Sequence, residues 1–214
     1  MSFVEATQAN FAKMFDVSRE TMDRLQAYSE LLIKWNPKIN LVARSTIPDV
    51  WHRHIADSAQ LWTLAPKHAT TWLDIGSGAG FPGLVIGAIA AEKAPDLRIT
   101  LVESDRRKSV FLKTAAREMG ITVEVITKRI ELLESQHADI LSARALSSLS
   151  QLLDFAEKHR NADGACLFPK GARANSELTE ASSCWHMAYE TFPSMTDPDA
   201  VILRIGEFAR VQKH

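Results

Sequence analysis

The chain is poor in cysteine: Cys166 and Cys184 are the two among 214 residues. Their separation suits neither the CxxC spacing of a metal site nor a disulfide framework, so both are expected to be small buried thiols in a reducing compartment. An excess of either charge is also missing. Lys and Arg number 25 against 26 Asp and Glu, for a formal net charge of −1. No global field draws the chain to nucleic acid, so any such grip has to come from a local basic patch. No apolar run approaches the ~18 residues that suggest a transmembrane helix. The first residues lack the basic segment and apolar stretch of an export signal, and no repeat or low-complexity tract is present. These absences argue against a helical membrane protein and a disulfide-stapled secreted domain. They lead to the expectation of a cytoplasmic, metal-free chain with no membrane partner; a monomer is expected, though the sequence leaves the oligomeric state open.

What is present is enough apolar sequence, 46%, to fill the core of one compact unit. Residues 1–70 read as helical. Phe11, Met14 and Phe15 recur at helical spacing, Ser18 and Thr21 mark a helix start, and Leu25, Tyr28, Leu31, Leu32 and Trp35 share a face. Asn36-Pro37 is expected to end that helix. Pro48 is expected in the first turn of another that runs to about Leu64. From residue 71 short β-branched runs alternate with longer amphipathic segments. Strands are expected at Thr71–Ile75, Arg98–Glu103, Thr122–Ile126, Asp139–Ala143 and Ala165–Pro169, with a final antiparallel pair at 185–192 and 200–208. Helices are expected at 82–93, 105–119, 148–160 and 173–183. Such alternation implies βαβ units in an α/β, mostly parallel, doubly wound sheet. Ligands bind such sheets beyond the carboxyl ends of the strands, where the strand order reverses.

The strongest local signal is the run Leu73-Asp74-Ile75-Gly76-Ser77-Gly78-Ala79-Gly80-Phe81-Pro82-Gly83, after a strand and before a helix. Glycine lets a ligand approach the backbone closely. Gly78-x-Gly80-x-x-Gly83 satisfies the dinucleotide pattern literally, and alone that pattern is weak. Counted from the strand end, however, the first glycine is Gly76, and the third glycine of that pattern would fall on Phe81. Asp74 stands two residues before Gly76, in the D-x-G-x-G-x-G arrangement of adenosylmethionine methyltransferases. A nicotinamide-dependent oxidoreductase, a small-molecule methyltransferase and a non-catalytic RNA-binding module stay open as alternatives.

The second strand ends in Glu103-Ser104-Asp105, and a carboxylate there can accept hydrogen bonds from both hydroxyls of a ribose. Glu103 is the candidate, while Asp105 is equally suited to cap the next helix. Backbone groups of Ile130 and Glu131, after the third strand, are placed to read an adenine edge. Arg144 follows the fourth strand, where a cleft arginine needs an anionic partner in cofactor or substrate. His54 and Asp57 share a helix face, either to orient substrate or to tie the N-terminal helices to the core. Candidate phosphate contacts are Lys38, Arg44, Arg53, Arg106, Arg107, Lys108 and above all Lys170. Trp35, Trp51 and Trp62 read as core residues.

Several of these segments occur together in an order that resembles the RsmG family, also called glucose-inhibited division protein B, from about Trp35 to about Leu178. The resemblance rests on Trp35-Asn36-Pro37-Lys38-Ile39-Asn40-Leu41, His54-Ile55-Ala56-Asp57-Ser58, Asp74 to Gly83, Glu103 to Leu112, Arg129-Ile130-Glu131, Ala143-Arg144-Ala145 and Lys170-Gly171. Val42 and Pro169 depart from its pattern beside the motifs. The resemblance implies a Rossmann-like class I methyltransferase fold with an N-terminal helical cap (1–70) on a catalytic domain (71–214). It implies transfer of a methyl group from S-adenosylmethionine, leaving S-adenosylhomocysteine, to N7 of a guanine in the 530 loop of 16S ribosomal RNA, alone or in the small subunit. Cofactor roles carry over to Gly76, Phe81, Glu103, Ile130, Glu131 and Arg144, joined on the motif reading by Asp74, Gly78, Gly80 and Ser104. N7 carries a lone pair and no proton, so no general base is required. His54, Asp57 and Arg144 are then expected to orient substrate.

Overall fold

The computed structural model describes residues 8–212, which leaves 1–7 and 213–214, the outer ends of the two expected domains, outside the description. Helices α1 (Gln8–Phe15) and α2 (Arg19–Ile39) are followed by a 3-10 segment (Arg44–Asp49), a π turn (Trp51–Ala56) and α3 (Asp57–Leu64). The alternating part then runs β1 (Thr71–Ile75), α4 (Gly83–Lys93), β2 (Arg98–Glu103), α5 (Arg106–Met119), β3 (Glu124–Thr127), a 3-10 turn (Ile130–Leu132) and β4 (Ala138–Ser142). It closes with α6 (Leu149–His159), β5 (Arg160–Lys170), α7 (Ala174–Ser182), β6 (Trp185–Pro193) and β7 (Val201–Arg210). The seven strands lie in the order β3-β2-β1-β4-β5-β7-β6. All pairings are parallel except those of β7, which is antiparallel to both neighbours. Strand order reverses between β1 and β4, so the crevice for a ligand opens at the tips of those two strands.

The sheet carries an apolar layer on each face. Trp72 of β1 packs with α4, α5 and the N-terminal helices, while Leu73 and Ile75 pack with the α6 side, as the two-residue alternation of a strand requires. Helix α4 accounts for the N-terminal helices. Its residues Gly83 to Ala90 are all buried, and a helix apolar all round must be covered on its outer side too. Helices α2 and α3 supply that cover. At its start α2 is capped by Ser18, whose hydroxyl accepts from Thr21 N–H, and Thr21 and Ser18 in turn donate to Glu92 of α4. Among the described residues no helix is long and apolar enough to cross a membrane.

Five expectations need correction. Helix α2 does not stop at Asn36-Pro37 but runs to Ile39, with Asn40 left-handed at its end. Proline there removes a bond to the carbonyl of Ile33, and Ile33 is exposed, so water can take that acceptor. The buried Asn36 side chain accepts from Leu41 N–H at 2.8 Å and Val42 N–H at 2.9 Å and donates to Val42 O at 3.1 Å, which turns the chain. Pro48 lies inside a 3-10 segment, and a π turn separates it from α3. Strand β3 starts later than expected, at Glu124, and β5 starts earlier, at Arg160. Cys166 is buried but Cys184 is exposed.

Asn36→Ala leaves two amide donors and a carbonyl without their partners at a buried turn. A stability loss of about 2–3 kcal/mol is expected, with a fall of about 5–10 °C in Tm for a domain of this size, read by calorimetry.

Candidate active site

The site grows from the turn after β1. Gly76, Gly78 and Gly80 all have positive φ, at 65°, 56° and 97°, a region that costs other residues strain. Gly76 and Gly80 have different surroundings. A Cβ on Gly76 would lie 2.5 Å from Leu146 Cδ1, on the cavity side, whereas one on Gly80 would strike Leu84 and Leu112 of the core. Tyr28 of α2 fastens the turn from behind by donating its hydroxyl to Ala79 O at 2.6 Å.

Beneath the turn Asp74 is wholly buried. Its Oδ1 accepts from Ser142 Oγ at 2.7 Å, and Ser142 Oγ itself accepts from Trp72 Nε1 at 2.8 Å. Oδ2 has no hydrogen-bond partner; the nearby Gly83 amide biases its charge without satisfying it. Burial raises the Asp74 carboxyl to about 6, against the hydrogen bond from Ser142. At the tip of β2 Glu103 is buried, with Oε2 accepting from Gly78 N–H at 2.8 Å and Oε1 from Asp105 N–H at 2.7 Å. A carboxylate offers about four lone-pair sites, so each oxygen can accept once more. Asp105 caps α5 through Arg107 N–H and Lys108 N–H.

Two cavities open at the strand tips, the smaller of them against the turn. The smaller, about 380 Å³, is bounded by Gly76, Gly78, Glu103 and Ser104 on one side and by Ile130 and Glu131 on the other, with Lys108, Lys128 and Arg129 at its lip. Its size falls in the range of about 300–1,000 Å³ usual for small-ligand pockets. The larger, about 510 Å³, is faced by Arg53, His54, Asp57 and Arg144, with Thr196 and Asp197 of the β6–β7 loop opposite. Ala145 and Ser147 line both and form the partition between them. Ala145 has a φ of 52°.

Arg144 faces the larger cavity, and its anionic partner belongs to the chain itself, contrary to expectation. Its Nη1 donates to Asp57 Oδ2 at 3.2 Å and its Nη2 to His54 Nδ1 at 3.2 Å, while its guanidinium lies 4.7 Å from the centre of the Phe81 ring. His54 stacks on Phe81 with ring centres 5.0 Å apart. A guanidinium only donates, so Nδ1 is the acceptor and Nε2 carries the proton, which goes to Thr46 Oγ1 at 2.7 Å. Thr46 completes the chain by donating to Ala43 O. Burial, then the charges of Arg144 and Arg53, push the His54 imidazole down to about 3. It is therefore neutral at neutral pH, with both nitrogens engaged, and is not available as a base.

Other candidates fall elsewhere. Asp74, Gly80 and Phe81 are buried behind the turn and do not line the smaller cavity. Lys170, the favoured phosphate contact, is buried: its Nζ donates to Glu177 Oε2 at 2.7 Å and to Ser147 O at 3.1 Å. That ion pair braces the partition, since Glu177 Oε2 also accepts from Leu149 N–H. Lys38, Arg44, Arg53, Arg106 and Arg107 are exposed, and Arg107 pairs with Asp105. Sequence reasoning missed Ser194, Thr196 and Gln60. Hydrogen bonds linking residues more than 130 positions apart leave no local pattern to read.

A sheet of this order, with a glycine turn on its first strand and a carboxylate at the tip of its second, defines the class I methyltransferase architecture. Solved structures agree. The O-methyltransferase from Bacillus cereus in complex with SAH superposes with a TM-score of 0.60, 10% identity and 94% and 96% coverage of this chain and that one. The M. jannaschii TYW2 in complex with AdoMet gives 0.55, 13% identity and 82% and 80% coverage. Within that class the chain belongs to the GidB family, rRNA small subunit methyltransferase G, whose model matches residues 21–200. Relatives named ribosomal RNA small subunit methyltransferase G are 53% identical over 196 residues in Ruegeria sp. (strain TM1040), covering 92% of this chain and 95% of that one. In Gluconobacter oxydans (strain 621H) the identity is 48% over 198 residues, covering 92% and 100%. The chain is thus a methyltransferase enzyme.

Two outcomes follow. Nitrogen NMR of the His54 ring should show a neutral Nε2–H tautomer down to about pH 4. The unfolded chain takes up this proton near 6.5 and the folded one only near 3, so this group's share of stability is present above 6.5 and is lost as pH falls across that window. A folded-state midpoint near 6 would contradict the arrangement. Lys170→Ala should lower stability by about 3–5 kcal/mol, the range for breaking a buried ion pair, and leave the salt dependence of RNA binding unchanged.

Proposed function

We propose that the chain transfers a methyl group from S-adenosylmethionine to N7 of a guanine in the 530 loop of 16S ribosomal RNA. The observation that carries this reading is the pair of adjoining cavities at the tips of β1 and β4, separated by Ala145 and Ser147. One has the donors and acceptors for a nucleoside cofactor, and the other faces cations.

The residues of the smaller cavity fit the cofactor. Bare backbone at Gly76 and Gly78 admits close approach, Glu103 has acceptor capacity for ribose hydroxyls, Ser104 flanks them, and Ile130 and Glu131 border the adenine position. Asp74 and Phe81 act from behind, by fixing the turn and Arg144. When bound, adenosylmethionine supplies an electrophilic methyl group. Guanine N7 offers a lone pair on the major-groove edge and has no proton to lose. The protein therefore needs to bind, orient and exclude water, and the source of rate is proximity and alignment. The neutral, doubly bonded His54 agrees with a reaction that needs no base there. His54 and Asp57 orient Arg144, and Arg144 faces the base.

Exposed Lys38, Arg44, Arg53 and Arg106, with Lys108 at the lip of the cofactor cavity, are the proposed phosphate contacts. Binding should then weaken with salt. Residues 8 to about 70 serve as a helical cap, and one chain lines both cavities, which supports action as a monomer; a ribosomal RNA substrate, alone or in the small subunit, puts that action in the cytoplasm.

Labelled adenosylmethionine incubated with small-subunit RNA from an unmethylated strain should yield 7-methylguanosine on nucleoside digestion; label in another nucleoside, or none, would contradict the assignment. Glu103→Ala should weaken adenosylmethionine binding by about tenfold to a hundredfold, the worth of hydrogen bonds to a charged group, measured by calorimetry.

A further inference from the structure

We propose that Thr196, in the loop between β6 and β7, is a positioning residue for methyl transfer that acts on Arg144 through Asp57. The proposal rests on the function assigned above and extends it to a segment outside every motif. Asp57 is the hub. Its Oδ2 accepts from Arg144 Nη1 at 3.2 Å, and its Oδ1 accepts from Thr196 Oγ1 at 2.9 Å and from Gln60 Nε2 at 2.9 Å. Both partners of the ion pair are less than one-fifth exposed, so the field that orients the guanidinium is weakly screened.

The loop is held too firmly for the Thr196 contact to be incidental. Gln60, itself buried, accepts from Met195 N–H at 2.9 Å and donates to Ser194 Oγ at 3.3 Å. His52 Nε2 donates to Thr196 O at 2.9 Å. Thr196 N–H donates to Ser194 Oγ at 3.1 Å. The Thr196 hydroxyl proton goes to Asp57, so the 3.1 Å contact between the two hydroxyls is a donation from Ser194 to Thr196. Six residues, His52, Asp57 and Gln60 from the N-terminal part and Ser194, Met195 and Thr196 from the loop, thus share one hydrogen-bond network that reaches the Arg144 guanidinium through Asp57. Thr196 itself lines that cavity. Removing its hydroxyl leaves Asp57 Oδ1 with Gln60 alone and frees the carboxylate to turn, and Arg144 turns with it.

The test compares Thr196→Val, which keeps the β-branched shape, with Thr196→Ser, which keeps the hydroxyl. Thr196→Val is expected to lower kcat for methylation of small-subunit RNA by about tenfold, the weight of one hydrogen bond to a charged group, with the KM for adenosylmethionine unchanged. Thr196→Ser should restore kcat to within about twofold. In the free protein the Arg144 Nε–H resonance should move in Thr196→Val and return in Thr196→Ser. In an Asp57→Asn background Thr196→Val should add nothing, because both changes break the same coupling. An unchanged kcat in Thr196→Val, an unmoved Arg144 resonance, or additive losses in the double variant would each overturn this proposal alone. A wild-type chain that methylates no ribosomal RNA would overturn the function it rests on.

Discussion

The ion pair between Arg144 and Asp57 is the contact on which the geometry of the site depends. It joins the tip of β4 to the first turn of α3, and thus the sheet to the helices that precede it. Phe81, from the turn after β1, lies against the guanidinium and the His54 ring together. Three segments that are far apart in sequence therefore meet at one charge. Because the pair is mostly withdrawn from water, an arginine without its carboxylate would be costly there, and the N-terminal helices are held in register with the strand tips.

The fold supplies this meeting point through burial. Helix α4 is apolar on every side and needs cover on its outer face, which α2 and α3 provide. Once they lie there, Tyr28 reaches the carbonyl of Ala79 and His54 reaches Phe81, so the helices that complete the core also stiffen the glycine turn. The parallel strands place that turn and the end of β4 side by side at the point where strand order reverses. The partition of Ala145 and Ser147 is then fixed by Arg144 at one end and by the Lys170–Glu177 pair at the other.

The sheet was legible in the sequence because short apolar runs, β-branched in β2 and β3, alternate with longer helical segments. The β1 and β2 boundaries follow from Thr71–Ile75 and Arg98–Glu103 directly, and the antiparallel β7 was also foreseen. The glycine turn and Glu103 were legible because local chain order brings them to adjacent strand tips. What local pattern could not carry was missed. Asn36 overrides the breaking tendency of Pro37 with three side-chain bonds to residues further on. Lys170 looked like a free cation at a strand end because its carboxylate partner enters from the following helix. Arg144 was expected to seek its anion in a ligand because Asp57 lies 87 positions earlier. The grip of Gln60 and Asp57 on the β6–β7 loop has no sequence signature of any kind.

The central claim is that the smaller cavity holds the nucleoside and the larger one the base. A crystal structure with S-adenosylhomocysteine bound tests it most directly. The account predicts ribose hydroxyls on the Glu103 carboxylate, adenine beside Ile130 and the sulfur facing the partition at Ala145. Electron density for the nucleoside in the cavity of Arg53 and Arg144 instead, or away from the tips of β1 and β2, would contradict it.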